Sequence, residues 1–519
     1  MSLRHLILFF VSLLCLISGT ALAADVPASG EKQLKDMILK TLYRHKEAYE
    51  KAGGTFGIEG DFQIERTASY YAVTLPKIII TDATGTRGDI GMIALNATPG
   101  DKPGTWKMSV ALPTPILYSA ADGTPRTRIE LGQQKISGLW HEKLGQFVTL
   151  SAAFNNVTID DITTNTRTIL PDLTVTSDLK ETKPDYWSGA VLAFAKNIET
   201  RQGKNPASSK IAHAKITADV TDLTANDTPT TAKLETENTL PTWYDMIGVK
   251  AAGVKTQTEF KGLSMNLPAM GGNPATAMSL DQFTLGLDLA NVQAKNPSVG
   301  VTMGVKNLAA SPETEDFKTF APRQMNVNVT LEKLPLAELV QFAQKTFSSG
   351  TATTPAARQI MGLQAMLLLP QIFSHAGTAL TIKDTFVTNG TYNGVIEGAI
   401  AASDASVIGL TGQIKAQLGG LDALQTALTE RLNTAGEADK KTINDALKRL
   451  SFIASLGKDS KGVDGKKVRM YDFKIDDKGA MTLNGKDATA LLFGGGEEKQ
   501  NASPPKSDTP KPNSNTPAP

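Results

Sequence analysis

Two periodicities alternate along this chain, and residues 324–432 set them side by side. Val327, Val329 and Leu331 alternate with Asn328, Thr330 and Glu332, the two-residue period of a half-buried strand. Past Lys333-Leu334-Pro335 the period lengthens to 3.6, so that Leu336, Leu339, Val340, Ala343 and Phe347 share one helix face, and such a face must be buried against something. The order then recurs. Ile414, Ala416 and Leu418 alternate, Gly419-Gly420 interrupt, and Leu421, Leu424, Leu428 and Leu432 form a second apolar stripe. A strand–turn–helix unit is therefore expected twice.

The same reading extends to the rest of the chain. Residues 31–52 predict a helix with Leu34, Met37, Ile38, Leu42, His45 and Tyr49 on one face and Gly53-Gly54 at its end. Residues 55–240 read as strands separated by turns such as Pro99-Gly100-Asp101 and Ala121-Asp122-Gly123. Residues 243–254 predict a short helix. Strands follow through Phe260, Leu263, Met265 and Leu267, then through Phe283, Leu285, Leu287 and Leu289. Residues 355–369, apolar nearly all round and ending before Pro370, predict a buried helix too short to span a bilayer. Residues 437–456 predict another helix, and a hairpin turning at Asp476-Asp477-Lys478-Gly479 closes the ordered part. The similarity of Leu144-Gly145-Gln146-Phe147 before Asn156-Val157 to Leu280-Asp281-Gln282-Phe283 before Asn291-Val292 reads as a repeated strand and turn.

The expected fold class is mainly β (α+β), a long curved antiparallel sheet with several packing helices. The expected divisions are a signal peptide (1–23), an N-terminal helix (24–54), a β-rich region (55–322), a sheet-plus-helices region (323–493) and a disordered tail (494–519) rich in Pro, Ser and Asn.

Arg4 and His5, an apolar run over residues 6–17 and Ala21-Leu22-Ala23 match the three parts of a secretory signal, with the mature chain expected to begin at Ala24. The one cysteine, Cys15, lies inside that apolar run. A cleaved chain would hold neither disulfides nor cysteine nucleophiles, which fits a Gram-negative periplasm better than a disulfide-rich extracellular space. With 53 basic and 52 acidic residues, no net field favours nucleic acid, and no nucleic-acid partner is expected.

Motifs that carry chemistry are sparse. His45, His141, His213 and His375 lie tens of residues apart, outside any His-Glu-x-x-His spacing. No Gly-x-Ser-x-Gly elbow occurs, and the Ser-x-x-Lys matches at Ser29/Lys32 and Ser455/Lys458 are as short as chance allows. Asp160-Asp161 and Asp476-Asp477 are adjacent pairs, better suited to turns than to an acid/base dyad, because strand neighbours point to opposite faces. Residues 459–465 imitate a calcium loop, but Lys461 replaces an oxygen donor. No catalytic, cofactor-binding or metal-ligating residue is assigned, and no cofactor is expected.

The signal sequence, the alternating strands, the helix start at Gly419-Gly420-Leu421-Asp422-Ala423-Leu424 and the closing hairpin ending Met481-Thr482-Leu483-Asn484-Gly485 loosely resemble uncharacterised proteobacterial envelope proteins of the AsmA-like and YdgA-like kind. That resemblance implies a long β-groove and a part in envelope integrity or phospholipid movement. The leading expectation is a non-enzymatic periplasmic protein that binds lipid or another apolar ligand or acts in envelope lipid homeostasis. The alternative is an envelope scaffold or adhesin-like protein that contacts other envelope proteins. The third is a hydrolase whose site is built by the fold from His141 or His213 and carboxylates.

Overall fold

The computed structural model describes residues 26–489, apart from 28, 52, 204–207, 225–249, 270–274, 293, 295, 348–367 and 463–464. The expected signal peptide and tail lie outside the described residues. So do residues 243–249 of the expected short helix, while Gly253 and Val254 begin a strand instead of ending that helix.

Helix α1 (Gly30–Lys51) is followed by ten short strands: β1 (Thr55–Glu59), β2 (Gln63–Arg66), β3 (Tyr71–Thr74), β4 (Lys77–Thr81), β5 (Arg87–Gly91), β6 (Ala94–Pro99), β7 (Thr105–Ala111), β8 (Ile116–Ser119), β9 (Pro125–Glu130) and β10 (Gln133–His141). They form two layers. In one, antiparallel pairing runs β2–β3–β6–β7–β10; in the other it runs β1–β4–β5–β8–β9. The expected helix face lies between them, with Leu34, Met37, Ile38 and Leu42 all buried. They share one core with Tyr71, Ile93, Trp106 and Met108 of the first layer and its loops and with Ile90, Ile116 and Ile129 of the second. The alternation of Trp106, Met108 and Val110 along β7, continued by Leu112, puts all four inside, as a strand with one buried face requires.

Both layers meet on β11 (Gln146–Asp161). Its first part, through Asn155, pairs with β10, and its last residues, from Thr158, pair with β9. Between the two segments stands Asn156, at φ 56°. Asparagine tolerates this left-handed conformation better than most side chains, and the turn it makes lets one strand serve two layers.

The corner continues beyond the module. The long strands β12 (Thr166–Lys183), β13 (Tyr186–Gln202), β14 (Ser208–Thr224), β15 (Gly253–Leu267) and β16 (Thr276–Ala290) pair in sequence. The ladders are interrupted at the same level, at Asn156, Pro171, Asn197, Ala212, Gly262 and Asp281, and resume beyond it in unshifted register. On β11, β13 and β15 the interrupting residue has positive φ, at 56°, 51° and 60°. A left-handed residue turns its strand off the extended path, so interruptions aligned in this way crease the sheet along one line. The two layers of the module enclose their apolar faces, so the crease folds toward the apolar side.

On one side of the crease the sheet goes on through β17 (Ser298–Lys306), and on the other it ends with β18 (Ala309–Ser311); both pair with β16. Helix α2 (Glu315–Phe320), N-capped by the Thr314 hydroxyl, was not foreseen from the sequence. β19 (Gln324–Glu332) pairs with β17 across residue 322 without a break in the sheet. Next come α3 (Leu336–Phe347), α4 (368–376), β20 (Ala379–Thr388), β21 (Asn393–Ala402), β22 (Leu410–Gly419), α5 (Leu421–Thr434), α6 (Glu437–Leu456), β23 (Lys458–Lys461), β24 (Lys467–Ile475), β25 (Met481–Leu483) and β26 (Lys486–Asp487). The ladder runs β19–β20–β21–β22–β24, with β23 and β25 both on the far edge of β24. The mainly β class, built on one long open antiparallel sheet, is thus as expected.

The repeated strand–turn–helix unit is present, and each copy turns through a left-handed residue, Lys333 at φ 53° and Gly420 at φ 77°. Pro370, expected to follow the end of a helix, lies inside the helical run 368–376. Its fixed φ of about −65° is a helical value, so only one donor is lost there; residues 355–367 of the expected helix lie outside the described residues.

Candidate functional site: a charge-free apolar face

Residues directly opposed in an antiparallel ladder point to the same face, so the registers trace rows of side chains across the sheet. One row runs Phe154–Leu173–Ala195–Ala214–Phe260–Phe283 and on through Val305–Met325–Val387–Gly394–Leu418. A second runs Leu150–Ser177–Val191–Ala218–Thr256–Leu287 and on through Val301–Val329–Ile382–Gly398–Ile414. Neither contains a charged residue from β11 to β22. Past the crease, Ile198–Ile211–Leu263–Leu280 form a third apolar row. Between the first and third rows the crease makes a trough with apolar walls. The opposite face carries Lys215, Asp219, Lys255, Glu259, Asp288 and Asn326.

The trough is plugged at one end and open along its middle. Phe154 and Val157, on either side of Asn156, are fully buried in the module core. Farther along, Leu285 is 46 % exposed, Val301 43 % and Met265 38 %. Among the described residues no helix packs on this central face as α1 does on the module, and none of Phe260, Phe283, Met303, Val327 or Val329 is fully buried. From β14 to β22 the face measures about 38 Å by about 27 Å, at about 4.8 Å per strand and about 3.4 Å per residue. That is on the order of 1,000 Å², above the few hundred that soluble monomers usually leave uncovered.

At the β24 end the character changes. Leu418 of the first row is opposed by Arg469, and Tyr471, opposite Ala416, donates its hydroxyl to the Ile453 carbonyl of α6 at 2.9 Å. The C-terminal turn of α6 is thus tied to this end of the apolar face. A cavity of about 500 Å³ opens beside it, lined by Leu418, Leu421, Asp422, Lys466, Lys467 and Arg469 among others.

The four histidines do not converge. His45 is half-buried on α1, and burial pushes its imidazole below the usual value, with Arg44 adding to the effect. At the end of β10, His141 accepts the Leu144 N–H at 3.3 Å and packs its ring on Trp187 at 4.8 Å; burial lowers its pKa also. His213 stacks on Phe194 at 5.8 Å, on the polar face. Exposed His375 lies 3.8 Å from Asp404. Among the described residues, no three His, Cys, Asp or Glu gather at metal-binding spacing.

The remaining motifs have structural partners. Asp160 receives both Arg167 contacts, at 2.6 and 2.8 Å, which hold its carboxyl below the usual range. Asp476 accepts the Lys478 and Ala480 N–H groups of the closing turn. Asp459 pairs with Arg469 at 2.6 Å. The Ser455 hydroxyl donates to the Phe452 carbonyl rather than facing Lys458.

The trough itself was missed at the sequence level, though a signal for it was there: Phe260 is followed by an apolar step of three to Leu263, as Phe154 is to Val157 and Ala195 to Ile198. No family model matches this chain, no curated protein matches it, and no solved structure matches its fold.

Proposed function

We propose that this is a non-enzymatic, exported envelope protein that holds an apolar ligand, such as the acyl chains of a lipid, along the trough and the face that continues it. One observation carries the reading: the rows from β11 to β22 lack charge yet are half-open to solvent at Leu285, Leu287 and Val301. Leaving so much aliphatic surface wet is unfavourable by about 25 cal/mol per Å², and a bound apolar ligand removes that cost. An acyl chain reaches about 15 Å, half of a bilayer core of about 30 Å, so chains fit on this face at full length. The periplasmic location and the AsmA-like resemblance belong to the same proposal and rest on the signal-like N-terminus and the alternating strands.

Native mass spectrometry of the chain purified without detergent tests the reading. Co-purifying lipid, lost in Leu285→Asp/Val301→Asp, is the expected result. A clean apo mass accompanied by a protein partner would replace ligand binding with the scaffold function.

A further inference from the structure

We infer that the loop between β21 and β22 docks the protein on a lipid bilayer by apolar contact, so that acyl chains pass from the bilayer onto the apolar face without crossing a polar rim. The inference rests on the ligand-binding reading above and adds where the ligand is taken up. Val407, in that loop, is 89 % exposed, more than any other large apolar side chain among the described residues. The apolar face leads up to it. Two positions beyond the second row runs another row without charge, Leu289–Val299–Leu331–Leu380–Ile400–Gly412. Two positions farther along β22, and on the same side of the sheet, comes Leu410, 40 % exposed. Gly409, between Leu410 and the tip, lies against Pro370 of α4, and Leu368 of that helix is itself 45 % exposed. One apolar surface thus continues from the rows to the loop.

The exposure of Val407 is built into the loop. The Ser403 N–H donates to the Gly409 carbonyl and the Gly409 N–H to that of Ser406, both at 2.9 Å, and the Ser374 hydroxyl of α4 donates to the Asp404 carboxylate. Ser406 is buried, and a Cβ on Gly479 of the closing hairpin would lie 3.2 Å from its Oγ. The loop is therefore clamped by α4 on one side and by the hairpin on another, with an aliphatic tip fixed in water. Transfer of that tip, with Leu410 and Leu368 behind it, into a bilayer interface removes the unfavourable hydration. A protein partner would need a patch of about 800 Å² on each side, far more than three side chains provide, whereas a bilayer takes an apolar tip alone. Charge is not what attracts the surface: Asp404 in the loop lies 3.8 Å from His375, and the turn that packs on the loop adds Asp477 and Lys478, one of each sign.

The full chain, purified without detergent, is floated with phosphatidylcholine vesicles, then separated from them and its carried lipid counted. The expected result is flotation that persists in high salt, falls several-fold in Val407→Asp and survives in Val407→Leu, with lipid loading slowed several-fold in Val407→Asp and its final amount unchanged. Unchanged melting of Val407→Asp shows that the loss is local. No flotation of the unaltered chain, flotation abolished by salt, or equal flotation and loading in Val407→Asp overturns this inference and leaves the ligand-binding reading standing. Flotation that depends on Val407 in a chain that carries no lipid after separation upholds the docking and overturns the ligand-binding reading. A dimer in native mass spectra that Val407→Asp dissolves, without flotation, gives the patch to a second copy and also overturns the inference.

Discussion

Leu150 and Leu287 occupy the same row of the same sheet face, yet one is 8 % exposed and the other 39 %. Nothing in their own strands causes the difference. Leu150 stands where α1 and a second layer close over the sheet, and Leu287 where, among the described residues, no second layer follows. One alternating pattern therefore serves two ends: in the module it makes a core, and beyond β13 it makes a surface. The face that stabilises the chain at one end is available for binding at the other.

Substitutions along that row test the contrast most strongly. Leu150→Ala should cost about 2–5 kcal/mol, as deletion of a buried leucine does, and Leu287→Ala about 1 kcal/mol or less, as partly exposed positions do. Urea midpoints measure both, and equal shifts would erase the distinction between the two regions. The crease that both regions share gives the next effect. Gly262 sits at φ 60°, and a Cβ there would lie 2.9 Å from that of Ala212, so Gly262→Val should cost about 1–3 kcal/mol through backbone strain. Gly123, also at positive φ but with nothing within 4 Å of its Cβ position, isolates the backbone part of that cost when replaced by alanine.

A smaller effect belongs to the module alone. His45 is held neutral by burial, so its folded pKa lies below the reference of 6.5. Its burial is tolerated in full above that reference, and stability is lost as pH falls through 6.5 toward the folded value. His45→Gln should flatten the fall in melting temperature between pH 7.5 and pH 5, leaving the share due to His141, which has the same sign. An unchanged slope would mean that His45 is solvated when the chain folds.

Much of this architecture was legible from local pattern. The α1 face, the β7 alternation, α6 from Glu437 to Leu456 and the hairpin turn at Asp476 follow from spacing and turn chemistry within a few residues. What was not legible depends on partners. Nothing local to Thr55–Glu59 states that β1 pairs with β4, or that β2 and β3 belong to the other layer. The crease is intermediate in this respect. A three-residue step in one strand looks like noise, and it becomes a structural line only when the ladders place Asn156, Asn197 and Gly262 at one level. The cavity at the β24 end was hidden for the same reason, because Leu418 and Arg469 are far apart in sequence and meet only through the β22–β24 ladder.

The central claim is that one apolar face is closed at Leu150 and open for a ligand at Leu287, and a site-specific label tests it most directly. The sequence has a single cysteine, Cys15, so in a Cys15→Ser background Leu287→Cys and Leu150→Cys each carry one thiol. The structure predicts that Cys at 287 reacts with an environment-sensitive maleimide in the native chain and that its emission shifts to the blue when lipid vesicles are added, whereas Cys at 150 reacts only after urea unfolding. A thiol at 287 as resistant as that at 150, or a reactive one whose emission ignores lipid, would contradict the account.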